Sequence, residues 1–228
     1  MRFFRGIAVP ASTADTIIDS ILQNGLNRDQ GWPMLWEKPN NPEGLFEKPD
    51  LSTDDTRGPR ETAPVGICFC GEESSAAVYA CERNIYRNDD TPILIEIEVD
   101  PEIVAIDGRD FLYGVFQFGD PQKAAPALEG LFGRKILRFA EAAWSSTDQS
   151  KRIALCDLAI HDNEVIAHHY RNRVVIGGRH STRFFTAFVI KLPIETASIV
   201  RVWRPDSSPE LPPIGVDFAN VILLPERR

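Results

Sequence analysis

The order of strand-like and helix-like segments constrains the fold of this chain most. The apolar run FFRGIAVP ends at Pro10 and is typical of a strand. The next segment, STADTIIDSILQNGL, carries its isoleucines and leucines at helical spacing and ends at Gly25, where a helix would stop. The pattern then repeats, because PVGICFC predicts a second strand and ESSAAVYACERNIY a second helix.

The rest of the chain adds strands and helices in a mixed order. TPILIEIEVD predicts a strand, IVAIDGRDFLYGVFQFG continues as β structure with a turn at Asp107–Gly108, and residues 121–146 are helical with breaks at their prolines and glycines. Four further β segments are predicted in RIALCDLAI, NEVIAHHY, RVVIG and RFFTAFVIKL. Helices early and strands late favour an α+β fold with two sheets over a doubly wound parallel sheet.

Residues 27–63 form the least regular part of the sequence. They are rich in Pro, Gly, Asp and Asn and show little periodicity, so a long loop is predicted. Loops of this length within a domain are commonly functional. The aromatic residues Trp32, Trp36 and Phe46 indicate that this loop packs on the rest of the domain, and nothing suggests a linker, so one domain over 1–228 is expected.

Charge is distributed unevenly along the chain, whose net charge is -8. Residues 1–150 hold 14 Lys+Arg against 25 Asp+Glu, whereas residues 151–228 hold 11 against 8. The basic excess lies around Arg171, Arg173, Arg179 and Arg183, with His168 nearby, and it predicts a surface that receives a phosphate-bearing molecule. A solvated strand edge is the alternative explanation, and the overall acidity disfavours non-specific nucleic-acid binding.

The N-terminus and the hydropathy predict a cytoplasmic protein, and the cysteines are expected to be free. The spacing of Cys68, Cys70, Cys81 and Cys156 fits none of the usual zinc patterns, so free thiols are expected. The N-terminal apolar run is short and contains Arg5, which does not indicate a signal peptide. No apolar run approaches the length of a membrane span, so no membrane partner is expected.

Three segments, in this order, resemble the ADP-ribosyltransferase superfamily in its poly(ADP-ribose)-polymerase-like branch. The first joins Arg5-Gly6 on a strand to the helix end ILQNGL. The second is GICFCGEESSAAVYA, in which two serines and a tyrosine follow a GIYFA-type strand. The third is DNEVIAHH, in which Glu164 follows an Asn on a predicted strand. The resemblance implies a split two-sheet β core with flanking helices and NAD as the substrate.

The resemblance also assigns roles to individual residues. Glu164 would be the catalytic carboxylate that faces the positive charge on the ribose in the transition state. Arg5 would grip NAD oxygens beside Gly6, and Gly66 would let the backbone approach the nicotinamide amide. Tyr79 would stack on nicotinamide, and Ser74 or Ser75 would bond a polar group of the substrate. Packing of the tyrosine, capping by the serines and surface positions for the two charged residues are the structural alternatives.

Departures from the family pattern favour transfer of a single ADP-ribose. Arg5 stands where the polymerases have His, Cys68 where they have Tyr, and Ala76 where they have the serine that contacts nicotinamide. The resemblance therefore implies a metal-free mono-ADP-ribosyltransferase acting on a protein or nucleic acid, such as an intracellular toxin, an effector or a phage-defence enzyme. A neutralising antitoxin or immunity protein would be a natural partner, and residues 27–63 would form an NAD lid.

Other classes of function fit parts of the same pattern. An NAD glycohydrolase would use the same pocket with water as the acceptor, and a binding module would hold NAD or ADP-ribose without chemistry. A metal-dependent hydrolase is suggested by four histidines within residues 161–180, although two of them, His168 and His169, would point to opposite faces of a strand. RNA 2′-phosphotransferases share the wider fold, but they use several basic core residues, whereas the N-terminal two-thirds of this chain is acidic.

Overall fold

A computed structural model describes residues 1–27, 34–58 and 64–223 and shows an α+β fold built on two sheets. The larger sheet is antiparallel and runs in the order β5-β8-β3-β1-β4-β9, with the short β2 also paired to β3. The smaller sheet has the order β10-β6-β7. The strands are β1 Arg2–Pro10, β2 Met34–Leu35, β3 Val65–Cys70, β4 Asp90–Glu98, β5 Val104–Ile106, β6 Val175–Gly177, β7 Arg183–Phe184, β8 Ala187–Lys191, β9 Ile199–Trp203 and β10 Ile214–Asp217.

Helices cover both faces of the larger sheet. Helices α5 to α9 bury their apolar sides with Phe3, Ile95 and Phe188 in the main core, whereas α4 packs on the opposite face against Leu94. Among the described residues, no helix is long and apolar enough to cross a membrane. The helices are α1 Ala14–Asn24, α2 Pro42–Phe46, α3 Thr53–Arg57, α4 Glu73–Val78, α5 Leu112–Phe118, α6 Pro121–Phe132, α7 Lys135–Trp144, α8 Gln149–Ile160, α9 Asn163–Tyr170 and α10 Phe218–Val221.

Strands β1 and β3 separate in the middle of the larger sheet. β1 pairs with β4 along its whole length, from Arg2 opposite Glu98 to Pro10 opposite Asp90. It pairs with β3 only at Phe4 opposite Cys70, because the other end of β3 is paired with β2. The sheet therefore opens between β1 and β3, and the candidate site described below lies at this opening.

Three segments predicted as β structure are helices. They are residues 112–118, which form α5, and the segments RIALCDLAI and NEVIAHHY, which lie in α8 and α9. Aspartate caps explain the last two: the Asp148 side chain accepts from the Ser150 N–H, and the Asp162 side chain accepts from Glu164 and Val165. Helix α6 also continues through Pro126 and Gly130, where breaks were predicted.

The predicted loop 27–63 contains regular structure in its described part. Residues 34–58 hold β2, α2 and α3, and a capping box between Ser52 and Asp55 starts α3. The predicted packing of Trp36 is confirmed because this side chain is buried, whereas Trp32 lies outside the described residues. No residue of 34–58 lines the candidate site, so the NAD-lid interpretation stays a prediction.

Candidate functional site

A cleft of about 480 Å³ lies where β1 and β3 separate. Three of the predicted NAD-contacting residues line it: Arg5 and Gly6 from β1, and Tyr79 from the turn after α4. Asp107 and Asp110, from the segment after β5, line the same cleft. The structure thus brings together residues from distant parts of the chain, including two carboxylates that the sequence analysis did not assign to the site.

Arg5 bridges the opening of the sheet. Its Nη1 donates to the Cys68 carbonyl oxygen at 2.7 Å, and that carbonyl lies on the stretch of β3 no longer paired with β1. Burial lowers the pKa of the Arg5 guanidinium from its ordinary value. The cleft therefore contains a partly desolvated cation, whose planar set of donors suits a phosphate or carboxylate.

Gly6 allows α4 to approach β1 closely. A Cβ at this position would lie 1.9 Å from the Ala76 carbonyl oxygen and 2.7 Å from the Ala80 nitrogen. The same approach brings Tyr79, at the start of the π-helical turn Tyr79–Arg83, to the cleft. Burial and nearby acidic groups raise the pKa of the Tyr79 hydroxyl, so the side chain is neutral. Gly6 and Tyr79 thus form one wall.

A cluster of two aspartates and one arginine, Asp107, Arg109 and Asp110, also lines the cleft. Asp107 is 5% exposed, and one of its carboxylate oxygens accepts from the Arg109 backbone N–H at 3.1 Å. The Arg109 guanidinium lies 3.6 Å from the Asp107 carboxylate and 3.9 Å from that of Asp110. Arg109 Nη2 is also 3.5 Å from the Cys68 sulfur. This cluster comes from the sequence DGRD directly after a strand, a signal that the sequence analysis interpreted as a hairpin turn.

The environment of the Asp110 carboxyl group alters its acidity. Burial, followed by the charge of Asp107, raises its pKa from the ordinary value, and Arg109, Thr182 and His180 partly oppose this shift. A carboxyl group with a raised pKa in a cleft can accept or donate a proton nearer neutral pH than a surface aspartate can.

A turn with unusual backbone geometry borders the cleft at His180. His180 and Ser181 both have left-handed φ values, 57° and 59°, which non-glycine residues rarely adopt. The turn is held by the Arg179 N–H donating to the Asp110 carbonyl oxygen at 2.7 Å and by Arg83, which donates to the Ser181 carbonyl. The backbone therefore places the His180 side chain beside Asp110, and strain of this kind is typical of functional sites.

The cysteine prediction is confirmed, since all four cysteines are free. Burial raises the pKa of the Cys68 thiol well above its ordinary value and that of Cys70 to about 12. Both line the cleft as neutral thiols, and neither has the lowered pKa of a nucleophilic cysteine.

Glu164 lies elsewhere in the molecule. The prediction that it is on a strand is wrong: it lies in the first turn of α9, and its side chain is 77% exposed. Its carboxylate lies 3.8 Å from Lys135 Nζ, and it does not line the cleft. Glu164 was assigned because it is an acid that follows Asp-Asn. In the structure this short sequence forms the N-terminus of helix α9.

Gly66 and the two serines also lie outside the cleft. Gly66 lets β3 approach β8, because a Cβ there would lie 2.7 Å from the Ile190 carbonyl oxygen. Ser75 is fully buried, and its hydroxyl accepts from the Phe185 N–H at 3.1 Å. Ser74 lines a separate groove with Trp203. The structure therefore gives Gly66 and Ser75 packing positions.

The predicted acceptor-binding residues do not form one patch. Arg171 and Arg179 are exposed, and Arg179 adjoins His180 at the cleft. Arg173 is paired with Glu72 at 2.9 Å, and Arg183 donates to the Pro212 carbonyl oxygen at 3.0 Å. His168 instead lies on α9 against α6, with Nε2 3.3 Å from the Gly130 carbonyl oxygen.

The histidines lie in different environments. His161 and His169 are buried, whereas His168 and His180 are not. His168 and His169 are neighbours on a helix, so the strand on which the sequence analysis placed them is wrong. Over the described ranges, no group of three or more His, Cys, Asp or Glu side chains is arranged to hold a metal ion.

Comparison with family models, with curated proteins and with solved structures finds no match to this chain. We therefore infer the function from the geometry of the cleft and from the sequence resemblance.

Proposed function

We propose that this chain is an NAD-dependent mono-ADP-ribosyltransferase of the ADP-ribosyltransferase-like fold, and that Asp110 rather than Glu164 is its catalytic carboxylate. The observation that supports it is the meeting of Arg5, Gly6 and Tyr79 with Asp110 in one cleft. The resemblance selected Arg5 and Gly6 from one segment of the sequence and Tyr79 from another, and the three line the opening in the sheet together.

In this proposal different residues of the cleft bind different parts of NAD. The Arg5 guanidinium binds the pyrophosphate, and Tyr79 packs against the nicotinamide ring. Arg109 holds Asp107 and Asp110 in position through contacts of 3.6 and 3.9 Å. The two carboxylates then face the ribose, where positive charge develops as the glycosidic bond breaks.

The reaction balances without a further reagent. The bond between ribose C1′ and the nicotinamide nitrogen breaks, and its electron pair leaves with nicotinamide, which becomes neutral. A nucleophilic atom of the protein or nucleic-acid acceptor bonds to C1′ and loses its proton to Asp110, whose raised pKa suits a general base. If water takes the place of the acceptor, the same steps give an NAD glycohydrolase.

The test compares nicotinamide release by the wild type with that by two matched carboxylate variants. We expect Asp110→Asn to lower the rate by about 100-fold or more, because it removes both the charge and the base. Glu164→Gln should leave the rate within about twofold. Arg5→Lys should weaken NAD binding, whereas Arg2→Lys, on the same strand, should not.

The outcomes separate the alternatives. Loss of activity in Glu164→Gln with Asp110→Asn unaffected would restore Glu164 as the catalytic residue. Free ADP-ribose with no labelled macromolecule would favour the glycohydrolase. NAD binding with no nicotinamide release would favour a binding module, and an absence of NAD binding would refute the proposal.

A further inference from the structure

A second cavity of about 380 Å³ lies next to the cleft, and Arg109 lines both. Its walls come from α8, from α5 and from the segment 34–58. Glu37, Tyr113, Asp157 and His161 are among its polar residues, and Ile153 and Ile160 give it an apolar side.

Most of the charge in this cavity is already paired. Asp157 accepts from Arg57 Nε at 2.6 Å and from Arg57 Nη2 at 2.9 Å. It also accepts from the Tyr113 hydroxyl at 2.6 Å and from the Thr56 hydroxyl at 3.0 Å. These bonds satisfy the Asp157 carboxylate, so it is a fixed part of the wall and not the group that receives a ligand.

Two polar atoms of the cavity lining are buried and have no hydrogen-bond partner among the described residues: Glu37 Oε2 and His161 Nε2. His161 is 7% exposed, and its Nδ1 lies 2.8 Å from the Asp157 carbonyl oxygen. Because a carbonyl only accepts, Nδ1 carries the proton and Nε2 has the lone pair. Burial lowers the pKa of His161 and keeps the ring neutral. Both unpartnered atoms are therefore acceptors, and leaving them unmatched is unfavourable.

The charge of the lining indicates what kind of donor fits. The lining holds the carboxylates of Glu37 and Asp157 and the guanidinium groups of Arg57 and Arg109. Arg109 also contacts the two aspartates of the neighbouring cleft. A cationic ligand would meet two guanidinium groups, and an anionic one would meet two carboxylates. Hydroxyl groups on an uncharged ligand can donate to both acceptors, while its C–H face packs on Ile153 and Ile160.

We propose that this cavity binds an uncharged, hydroxyl-bearing ligand, a sugar or the ribose of a nucleoside, whose hydroxyl groups donate to Glu37 and His161. The inference concerns a different site from the NAD cleft and does not depend on the function proposed for that cleft.

The test follows the histidine ring nitrogens by NMR in protein labelled with ¹⁵N-histidine, with His161→Gln identifying the His161 signals. We expect His161 to be protonated at Nδ1 and its Nε2 signal to shift on titration with D-ribose or with uridine. Glu37→Leu should weaken this binding by about fivefold to tenfold, because one acceptor is lost. Glu47→Leu, an exposed acid in the same segment, should bind as the wild type does.

The three probes have distinct meanings. A shift with D-ribose supports a free-sugar site, and a shift with uridine alone supports a nucleoside site. A shift with guanidinium chloride but with neither sugar would overturn the proposal, as would the absence of any shift. Equal sugar affinity in Glu37→Leu and the wild type would also overturn the proposal. The NMR signal of the buried His169 reports whether each variant is folded.

Discussion

At the scale of single residues, Gly6 is where strand β1 and helix α4 touch. A methyl group there would lie 1.9 Å from the Ala76 carbonyl oxygen, which is backbone and cannot turn aside as a side chain can. The absence of a Cβ therefore fixes the distance of α4 from the sheet, and with it the place of Tyr79 in the cleft.

We predict that Gly6→Ala lowers the free energy of unfolding by about 1–3 kcal/mol or more, as overpacking in a core does. Gly130→Ala is the control: it lies in helix α6, and nothing approaches its Cβ position within 4 Å. That change should raise stability by about 0.5–1 kcal/mol. Urea unfolding measures the free energy of unfolding of both variants. An equal loss of stability in Gly6→Ala and Gly130→Ala would contradict the explanation by close packing at Gly6.

His169 links stability to pH. Its Nδ1 lies 3.3 Å from the Leu131 carbonyl oxygen, and its Nε2 accepts from the Ala187 N–H at 3.2 Å, so both nitrogens are engaged by the neutral ring. Burial lowers its pKa to about 3. The unfolded chain takes up the proton near pH 6.5, so the stabilisation is complete above that pH and is lost as the pH falls towards 3.

We therefore predict that the free energy of unfolding falls by up to about 1.4 kcal/mol per pH unit below pH 6.5 from this residue alone. His169→Gln, which can still accept from Ala187 but does not titrate, should remove this part of the slope. His168→Gln, at the adjacent position, should keep it. Urea unfolding at several pH values between 7 and 4 measures the slopes, and identical slopes in all three proteins would refute the assignment.

Sequence alone predicted part of the candidate site. Arg5, Gly6 and Tyr79 could be selected because the motifs that carry the family resemblance are short and local in the sequence. Asp107 and Asp110 could not, because their position depends on how β5 pairs with β8 and on the turn at His180, neither of which is local. Glu164 was misplaced because an acidic residue near a helix N-terminus resembles one after a strand.

At the scale of elements, local pattern predicted β1, α1, β3 and β4 because each has one clear apolar face or a clear end signal. It was wrong for α8, which is buried around most of its circumference from Ala154 to Ile160. A helix surrounded by protein loses its amphipathic period and resembles a buried strand. The aspartates that cap α8 and α9 were the sequence features that still indicated helices.

Helix α3 is held to α8 through the Asp157 carboxylate, which accepts hydrogen bonds from the side chains of Thr56 and Arg57. Arg57 makes two hydrogen bonds to Asp157, which is 3% exposed. We predict that Arg57→Met costs about 3 kcal/mol of unfolding free energy, because the buried carboxylate loses its cation. Lys48→Met removes the exposed pair with Asp55 on the same helix and should leave the free energy of unfolding nearly unchanged.

Limited proteolysis distinguishes a local from a global effect of these two changes. Cleavage within residues 34–58 should become faster in Arg57→Met and remain unchanged in Lys48→Met. If both variants are cleaved at the wild-type rate, Arg57 does not anchor this segment.

At the scale of the whole molecule, the basic part of the chain places an exposed arginine beside the opening in the larger sheet. The chain has a net charge of -8, yet Arg179 is exposed next to the cleft and Arg171 is exposed at the end of α9. Arg173 and Arg183 have partners in the fold, so the exposed pair carries the prediction of a phosphate-bearing acceptor.

A nucleic-acid acceptor would make transfer strongly dependent on salt, whereas a protein acceptor would not do so through these residues. If Arg171 and Arg179 each contact one phosphate, the double variant Arg171→Gln/Arg179→Gln should reduce the slope of log affinity against log salt by about 2. Arg134→Gln, an exposed arginine at the start of α7, should leave the slope unchanged.

The measurement follows the labelling of duplex nucleic acid by labelled NAD across a salt series. Nicotinamide release, measured in parallel, separates acceptor binding from chemistry. A double variant that keeps the wild-type slope would exclude these arginines from acceptor binding, and labelling of protein alone would identify the other class of acceptor.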